Sequence, residues 1–257
     1  MKEDKQCELL LARLADLRQQ VQRSGRCMAT AFLDPAEMAV AKKFAHYEAG
    51  DLSFFVSGGY PEAERTVLFL CPNWLDAATE FRRKPPIAAL SAVWSARFYT
   101  LGHRDLLGAI LGLGLKRNQI GDILMSEGMA QVIVLAGIAD YITQELKTAG
   151  RASVRVKLLD LAEVIPPVRK VKEIRTTVAS PRLDSLLAAA FGMSRSKAVP
   201  LITAERVEVN YELVADPSFT VEEGAMLSVR GLGRAQLVAL PGQTKKGRLI
   251  AVLERFL

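Results

Sequence analysis

Histidine and cysteine are scarce in this chain of 257 residues, which contains two histidines and three cysteines. With only His46 and His103, a histidine-based metal site or catalytic triad would lack ligands and partners. Cys7, Cys27 and Cys71 are odd in number, scattered and without CxxC spacing, so they support neither a disulfide framework nor a zinc site. The cysteines fit a reducing cytoplasm best, and we expect no bound metal.

Uncharged runs long enough to cross a membrane are also missing. The longest run in the middle of the chain lies between Glu127 and Asp140, whereas a membrane-spanning helix needs about 20 apolar residues. The charged residues 1–6 are not followed by the apolar stretch of a secretory signal. Because 50% of the residues are hydrophobic, the chain can build two or three domain cores. We expect a soluble, cytoplasmic monomer.

Acidic residues almost disappear from one part of the chain. Residues 81–118 carry seven Lys and Arg against one acidic residue, whereas residues 1–80 carry nine against twelve. Residues 151–179 are basic as well, with seven against three. The basic segments are suited to binding a polyanion. The acidic N-terminal part is not expected to make the first contact with one.

The hydrophobic periodicity predicts an α+β fold in the first two thirds of the chain. Residues 1–80 predict two helices, the second starting at a capping box formed by Asp34 and Glu37, and two strands around the turn at Gly58-Gly59. Residues 81–162 predict the order β-α-β-β-α-β, which is the ferredoxin-like order of RRM domains. We therefore expect an RRM-like central domain, with a four-stranded antiparallel sheet and two helices on one face.

The C-terminal third contains the most specific pattern. Pro166-Pro167 and the charged residues that follow predict a linker over residues 163–179, and a compact domain with a basic tail is predicted at residues 180–257. Its motifs resemble those of the S4 RNA-binding domain: Arg182-Leu183-Asp184, Ser194-Arg195-Ser196-Lys197-Ala198, Arg206-Val207, Val209-Asn210 and Val229-Arg230-Gly231.

A phosphate site is predicted where the second helix of this domain begins, with Ser194 as its cap. A helix start offers free N–H groups and a favourable dipole to anions, and Arg195 and Lys197 add positive charge there. Because both are expected to be exposed, reversal of both charges should leave the core intact. The candidate RNA-binding residues of the domain are Arg182, Asp184, Ser194, Arg195, Ser196, Lys197, Arg206 and Asn210.

Two residues depart from the S4 pattern. Pro200 lies inside the second helix, where it removes a hydrogen bond to the Ser196 carbonyl and is expected to bend the helix. Glu205 stands where glycine is common, so left-handed backbone strain is expected there.

Further motifs, in the same order along the chain, resemble those of the YlmH family. They are Phe32-Leu33-Asp34-Pro35, Gly58-Gly59-Tyr60, His103-Arg104-Asp105-Leu106, Gly114-Leu115-Lys116-Arg117, Ile120-Gly121-Asp122-Ile123 and the tail at residues 242–248. The resemblance implies a bacterial or plastid-type RNA-binding protein with an N-terminal, an RRM-like and an S4 domain. It also implies rRNA and possibly tRNA as partners on the large ribosomal subunit, in stalled translation, with a link to cell division. It implies no catalytic residues.

In the central domain, Arg104, Lys116 and Arg117 are candidate phosphate contacts. The alternative interpretation, of equal weight, is that these residues form a basic rim that contacts only water. Base stacking on its sheet is not expected, because residues 131–135 contain no aromatic and Trp94 and Phe98 are isolated.

Signs of catalysis are weak throughout. Residues 112–114 are a fragment of a dinucleotide-binding loop, no Walker A sequence occurs, and His103 is expected to be the first residue of a helix rather than a catalytic base. We therefore predict no cofactor and no enzymatic activity. Two alternatives remain open: an RNA-modifying enzyme of the pseudouridine synthase or rRNA methyltransferase type, and an adaptor in cell division. The first needs a catalytic domain that residues 1–160 do not show, and identification of crosslinked partners would test the second.

Overall fold

The computed structural model describes residues 2–166, 171–244 and 247–256. The chain divides into two compact units, residues 1–167 and residues 168–257. Within the described residues, no helix combines the length and the apolar character that a membrane crossing requires.

The N-terminal part of the first unit packs two helices on a small sheet. Helices α1 (Lys2–Ser24) and α2 (Pro35–Tyr47) accompany strands β1 (Met28–Ala29), β2 (Ser53–Ser57) and β3 (Val67–Cys71), which pair antiparallel in the order β1-β3-β2. The predicted capping box is confirmed, because the Glu37 amide donates to Asp34 Oδ1 and the Asp34 amide donates to Glu37 Oε2, both at 2.9 Å.

The central part of the first unit confirms the predicted β-α-β-β-α-β order. After the short helix α3 (Ala77–Arg83) come β4 (Ile87–Val93), α4 (His103–Gly112), β5 (Ile120–Ser126), β6 (Met129–Leu135), α5 (Ala136–Glu145), the short strands β7 (Thr148–Ala149) and β8 (Ala152–Ser153), and β9 (Arg155–Leu159). The four main strands form an antiparallel sheet in the order β5-β6-β4-β9. One face packs on α4 and α5 through a core that includes Leu90, Leu106, Ile110 and Ile142.

The other face of this sheet is largely covered by the N-terminal part. Residues Ile87, Ala89, Leu124 and Ile133 share a core with Phe32, Phe69 and Phe81. The chain that leaves β9 adds to the cover, since the Ile165 amide donates to Oε1 of the buried Gln131 at 2.9 Å. In an RRM this is the face that stacks bases, so in this chain the covered area is not available to RNA.

The first unit also corrects the expectation about cysteine. Cys27 and Cys71 form a disulfide although 44 residues separate them in the chain. The pairing of Met28 with Leu70 brings the two cysteines side by side across β1 and β3. No short cysteine motif announces such a pair, and the cysteine pattern no longer argues for a reducing compartment.

The second unit is a six-stranded antiparallel sheet with two helices. Its elements are β10 (Val171–Val178), α6 (Leu183–Phe191), α7 (Arg195–Thr203), β11 (Val207–Val209), β12 (Glu212–Leu213), β13 (Met226–Val229), β14 (Gly233–Gln243) and β15 (Leu249–Phe256). The strand order is β10-β15-β14-β13-β11-β12. The helix pair followed by short strands agrees with the compact domain predicted for residues 180–257.

Two features of the second unit differ from the sequence expectations. Residues 171–178 were predicted as part of a linker, but they form β10 and pair along their whole length with β15. Residues 167–170 of that predicted linker lie outside the described residues. The predicted basic tail at residues 242–248 starts in the last two residues of β14 and ends before β15, and its residues 245 and 246 lie outside the described residues.

Candidate nucleic-acid interface

The starts of α6 and α7 meet around one buried carboxylate. Asp184, on the first turn of α6, is 2% exposed. Arg195 NH2 donates to Asp184 Oδ2 at 2.6 Å, and Arg182 NH2 donates to the same oxygen at 3.3 Å. The two guanidinium groups remain partly open to solvent, with 58% of the Arg195 side chain and 39% of the Arg182 side chain exposed. Asp184 therefore holds two arginines together at the surface.

The charge state of Asp184 follows from these contacts. Burial opposes the ionised form, but hydrogen bonds from Arg182, Arg195 and Ser185, together with the positive charge of Arg195, outweigh it. As a result the pKa of Asp184 lies below its ordinary value, and the carboxylate is ionised at neutral pH. A buried carboxylate whose oxygens face two arginines positions those arginines and is not itself a phosphate contact.

The start of α7 keeps the features on which the predicted phosphate site depends. Ser194 occupies the N-cap position, as predicted, but its side chain makes no cap bond. Instead its Oγ lies 2.8 Å from Ser196 Oγ. The Ser194 side chain therefore leaves the first N–H groups of the helix unengaged, and of these the Lys197 amide donates to the Ser194 carbonyl oxygen at 2.9 Å. Lys197, one turn into the helix, is exposed, and the site therefore combines a helix dipole with three cations.

The structure corrects one expectation about this site. Arg195 is exposed but not free, since it is ion-paired with the buried Asp184. Glutamate at position 195 would bring a second carboxylate against Asp184, so reversal of that charge is not neutral for the fold. Lys197 forms no ion pair with any residue in the described part of the chain and is the better position for a charge reversal.

Arg206 and Asn210 lie beyond the helices, and their contacts are local. Arg206 is exposed, and its NH2 donates to the Arg230 carbonyl oxygen at 2.9 Å. Asn210 has φ +50°, and its Oδ1 accepts a hydrogen bond from the Met226 amide at 2.9 Å. Asn210 thus stabilises the turn between β11 and β12. The exposed side chain of Arg206 lies beside the residue that follows β13.

The departures from the S4 pattern are accommodated locally. Helix α7 runs from Arg195 to Thr203 and contains Pro200 in its interior. Glu205 has φ +53° directly after this helix, as expected for a position where glycine is common.

The three basic candidates of the central part differ in their surroundings. Arg104 and Lys116 are exposed. The half-buried Arg117 donates from NH1 to the carbonyl oxygens of Ile120 and Gly121. Burial lowers the pKa of Arg117, and the positive charge of Arg65 adds to this, whereas Asp122 opposes it. Arg117 therefore stabilises the start of β5, and the two exposed residues are the free cations of this set.

A basic groove in the first unit was not singled out from the sequence. It has a volume of about 710 Å³, and its lining includes Lys147, Arg155 and Lys157. The available signal was the spacing of Arg155 and Lys157, which puts both side chains on one face of β9.

Comparison with known proteins gives matches along most of the chain. Three family models match successive segments: the N-terminal domain of YlmH at residues 8–74, a putative RNA-binding domain in YlmH at residues 86–163, and the S4 domain at residues 181–227. The chain is 38% identical over 235 residues to ribosome-associated protein quality control protein P2 of Bacillus subtilis (strain 168), covering 91% of this chain and 90% of that relative.

A solved structure, cell division protein ylmH from Streptococcus pneumoniae, is similar with a TM-score of 0.50 and 24% identity. The alignment covers 62% of this chain and 94% of that one. This likeness supports the fold alone, whereas the sequence match spans nearly the whole of both chains.

Proposed function

The chain belongs to the YlmH family, and from this premise we propose that it is a non-enzymatic RNA-binding protein that acts on the ribosome. The observation that carries the proposal is the cluster of Arg182, Arg195 and Lys197 at the starts of α6 and α7, in which the buried Asp184 holds the two arginines in place. We further propose that it binds rRNA, and tRNA held on the ribosome, at the large ribosomal subunit. It does so as a cytoplasmic monomer in the handling of stalled translation. The name of the Bacillus subtilis relative, a ribosome-associated protein quality control protein, supports the ribosomal part of this proposal.

The chemistry of the cluster suits a structured RNA. Two arginines and a lysine beside an uncapped helix start can contact several phosphates that are close together in space. Such contacts read the shape of the backbone, which is how folded RNA is mainly recognised. The cluster contains no group placed to attack, protonate or methylate a base, so binding is favoured over an RNA-modifying activity.

The test is a charge reversal at Lys197, which is exposed and forms no ion pair among the described residues. Lys197→Glu should lower the affinity for purified large ribosomal subunits about tenfold, or about 1.4 kcal/mol. The slope of log affinity against log salt should flatten by about 0.7 to 0.9, because one phosphate contact is lost. Cosedimentation at several KCl concentrations measures both quantities.

Lys172→Glu is the matched control. Lys172 is an exposed residue of β10 in the same unit, and its reversal changes the net charge by the same amount. If the two variants bind equally well and with equal salt slopes, the start of α7 is not the RNA site.

A further inference from the structure

The loop that connects β4 to α4, residues 94–101 (the aromatic loop), presents two aromatic rings to solvent from a well-held backbone. Its first and last residues, Trp94 and Leu101, are buried. Trp94 Nε1 donates to the Tyr99 carbonyl oxygen at 3.2 Å, and the amides of Phe98 and Tyr99 both donate to the Ser95 carbonyl oxygen. Nevertheless Phe98 is 71% exposed and Tyr99 is 41% exposed.

One of these rings carries a cation against it. The Arg97 guanidinium carbon lies 5.5 Å from the centre of the Phe98 ring, in the arrangement of a cation–π contact. A single exposed ring is common on protein surfaces. Here, however, the loop lies in a segment that carries seven basic residues and one acidic residue over positions 81–118.

The basic groove begins where the aromatic loop begins. Its lining includes Trp94 and Ser95 together with Lys147, Arg155 and Lys157, and no acidic side chain contributes to it. These three cations form no ion pair within the described residues, whereas the surface residue Arg83 is paired with Glu80 at 2.6 Å. The groove therefore concentrates unpaired positive charge at the start of the aromatic loop, where the groove residue Trp94 donates to the Tyr99 carbonyl oxygen.

Strand pairing places part of this groove on the uncovered end of the central sheet. Val93 pairs with Arg155, and Ser91 pairs with Lys157. Val93 is 46% exposed, so the cover that the N-terminal part provides over Ile87 and Ala89 does not extend to this end. The open end presents cations along β9 and rings in the adjoining loop.

We propose that this surface is a second RNA site, which takes a single-stranded segment. The phosphates lie along Lys147, Arg155 and Lys157, and unpaired bases stack on Phe98 and Tyr99. The inference rests on the proposed function and adds to it the class of RNA that the central part recognises. A duplex keeps its base faces covered, and an acidic peptide carries a flat ring only at its aromatic residues, whereas a single strand carries one at every nucleotide next to a phosphate, so a single strand is the ligand that uses both features.

The test uses the full chain and a fluorescein-labelled single-stranded RNA of roughly 12 nucleotides, a length within the range that such sites cover. Phe98→Ala combined with Tyr99→Ala should lower the affinity about tenfold and leave the salt slope unchanged, because stacking releases no counterions. Arg155→Gln combined with Lys157→Gln should lower the affinity and also flatten the slope, by about 0.7 for each contact. Photocrosslinking with 4-thiouridine RNA should label Phe98 or Tyr99.

Tyr47→Ala is the matched control, since Tyr47 is 86% exposed and lies in the acidic N-terminal part. If the Phe98 and Tyr99 variant binds the single strand as the Tyr47 variant does, the second site is refuted. Crosslinks found in the second unit alone, or equal binding of an acidic peptide to the groove, would refute it too. In these cases the proposed function still stands if Lys197→Glu weakens subunit binding. If Lys197→Glu has no effect either, both proposals fail.

Discussion

Single residues in this chain act mainly by positioning other residues. Asp184 is the clearest case, because a carboxylate in an RNA-binding motif repels phosphate unless it is neutralised. With its side chain 3% exposed and both Arg182 and Arg195 bound to it, the charge of Asp184 is compensated inside the protein. The surface then presents only the guanidinium groups, in fixed positions, to the phosphate of the proposed RNA site.

Acid should weaken the second unit through Asp184. The folded-state pKa of this carboxyl is depressed, so its ionised form stabilises the fold at neutral pH. That stabilisation is complete above the unfolded pKa of about 3.9. It is lost as the pH falls from there through the lower folded value. In Asp184→Asn the free energy of unfolding should be lower by about 1 to 3 kcal/mol at pH 7, and the difference from wild type should shrink at pH 3.

The two tryptophans simplify this measurement, since Trp74 and Trp94 both belong to the first unit. In urea unfolding followed by far-UV circular dichroism, the transition that tryptophan fluorescence does not report belongs to the second unit. If the free energies of unfolding of Asp184→Asn and wild type differ by the same amount at pH 3 and pH 7, the ionised Asp184 carboxylate does not have the stabilising role assigned to it.

At the scale of elements, β5 shows how closely the N-terminal part meets the central sheet. A Cβ atom added at Gly121 would lie 2.7 Å from Cε1 of Phe32, which is fully buried. Next to it, Asp122 accepts hydrogen bonds from the Tyr60 hydroxyl and the Glu64 amide, both at 2.7 Å. Glycine is needed at position 121 for close approach, and the aspartate orders the loop before β3.

Gly121→Ala should therefore destabilise the first unit by about 1 to 3 kcal/mol, the usual range for overpacking a core. Tryptophan fluorescence during urea unfolding measures this directly. Gly108→Ala is the control: Gly108 lies inside α4, nothing approaches its added Cβ within 4 Å, and alanine is the better helix former. The control should be neutral or stabilising by up to about 1 kcal/mol. Equal stability of the two variants would show that Phe32 moves aside at little cost.

Elements formed by local periodicity were predictable from the sequence, and elements that depend on distant partners were not. The central strands and helices were found because hydrophobic residues such as Leu90, Leu106 and Ile110 recur at the spacing of their element. The sequence of β10 favours a linker because charged residues occupy three of its exposed positions and only Ile174, Thr176 and Val178 are turned inward. Its partner β15 is more than 70 residues away, and no local pattern indicates it.

The candidate site also contains features that the local sequence predicts and features that depend on distant partners. The cluster of basic residues at the start of α7 could be read from the motif, since adjacent residues and a helix start create it. The buried state of Asp184 and the inward turn of Arg117 depend on packing. So does the disulfide of Cys27 and Cys71, which requires that β1 pair with β3.

At the scale of the whole molecule, the segments matched by separate family models are not all separate folding units. The models at residues 8–74 and 86–163 divide the first unit, yet one apolar core runs across that division. Phe32, Phe69 and Phe81 lie on one side of it, with Leu124 and Ile133 on the other. The second unit has a core of its own, which includes Leu183, Leu187 and Leu253.

We therefore expect fragments 1–167 and 168–257 to fold alone, and fragment 81–167 to fail. Without the N-terminal part, the sheet would expose Ile87, Leu124 and Ile133, and the lost burial amounts to about 5 to 9 kcal/mol. A domain has only about 5 to 15 kcal/mol of stability in total, so the loss is enough to unfold it or to make it aggregate. The measurement is the dispersion of amide signals in two-dimensional NMR spectra, with thermal unfolding of each fragment. A soluble fragment 81–167 with dispersed signals and cooperative unfolding would show that the central sheet is stable with this face open. The area now covered by the N-terminal part would then be a surface that the chain could uncover, and base stacking on it would have to be considered again.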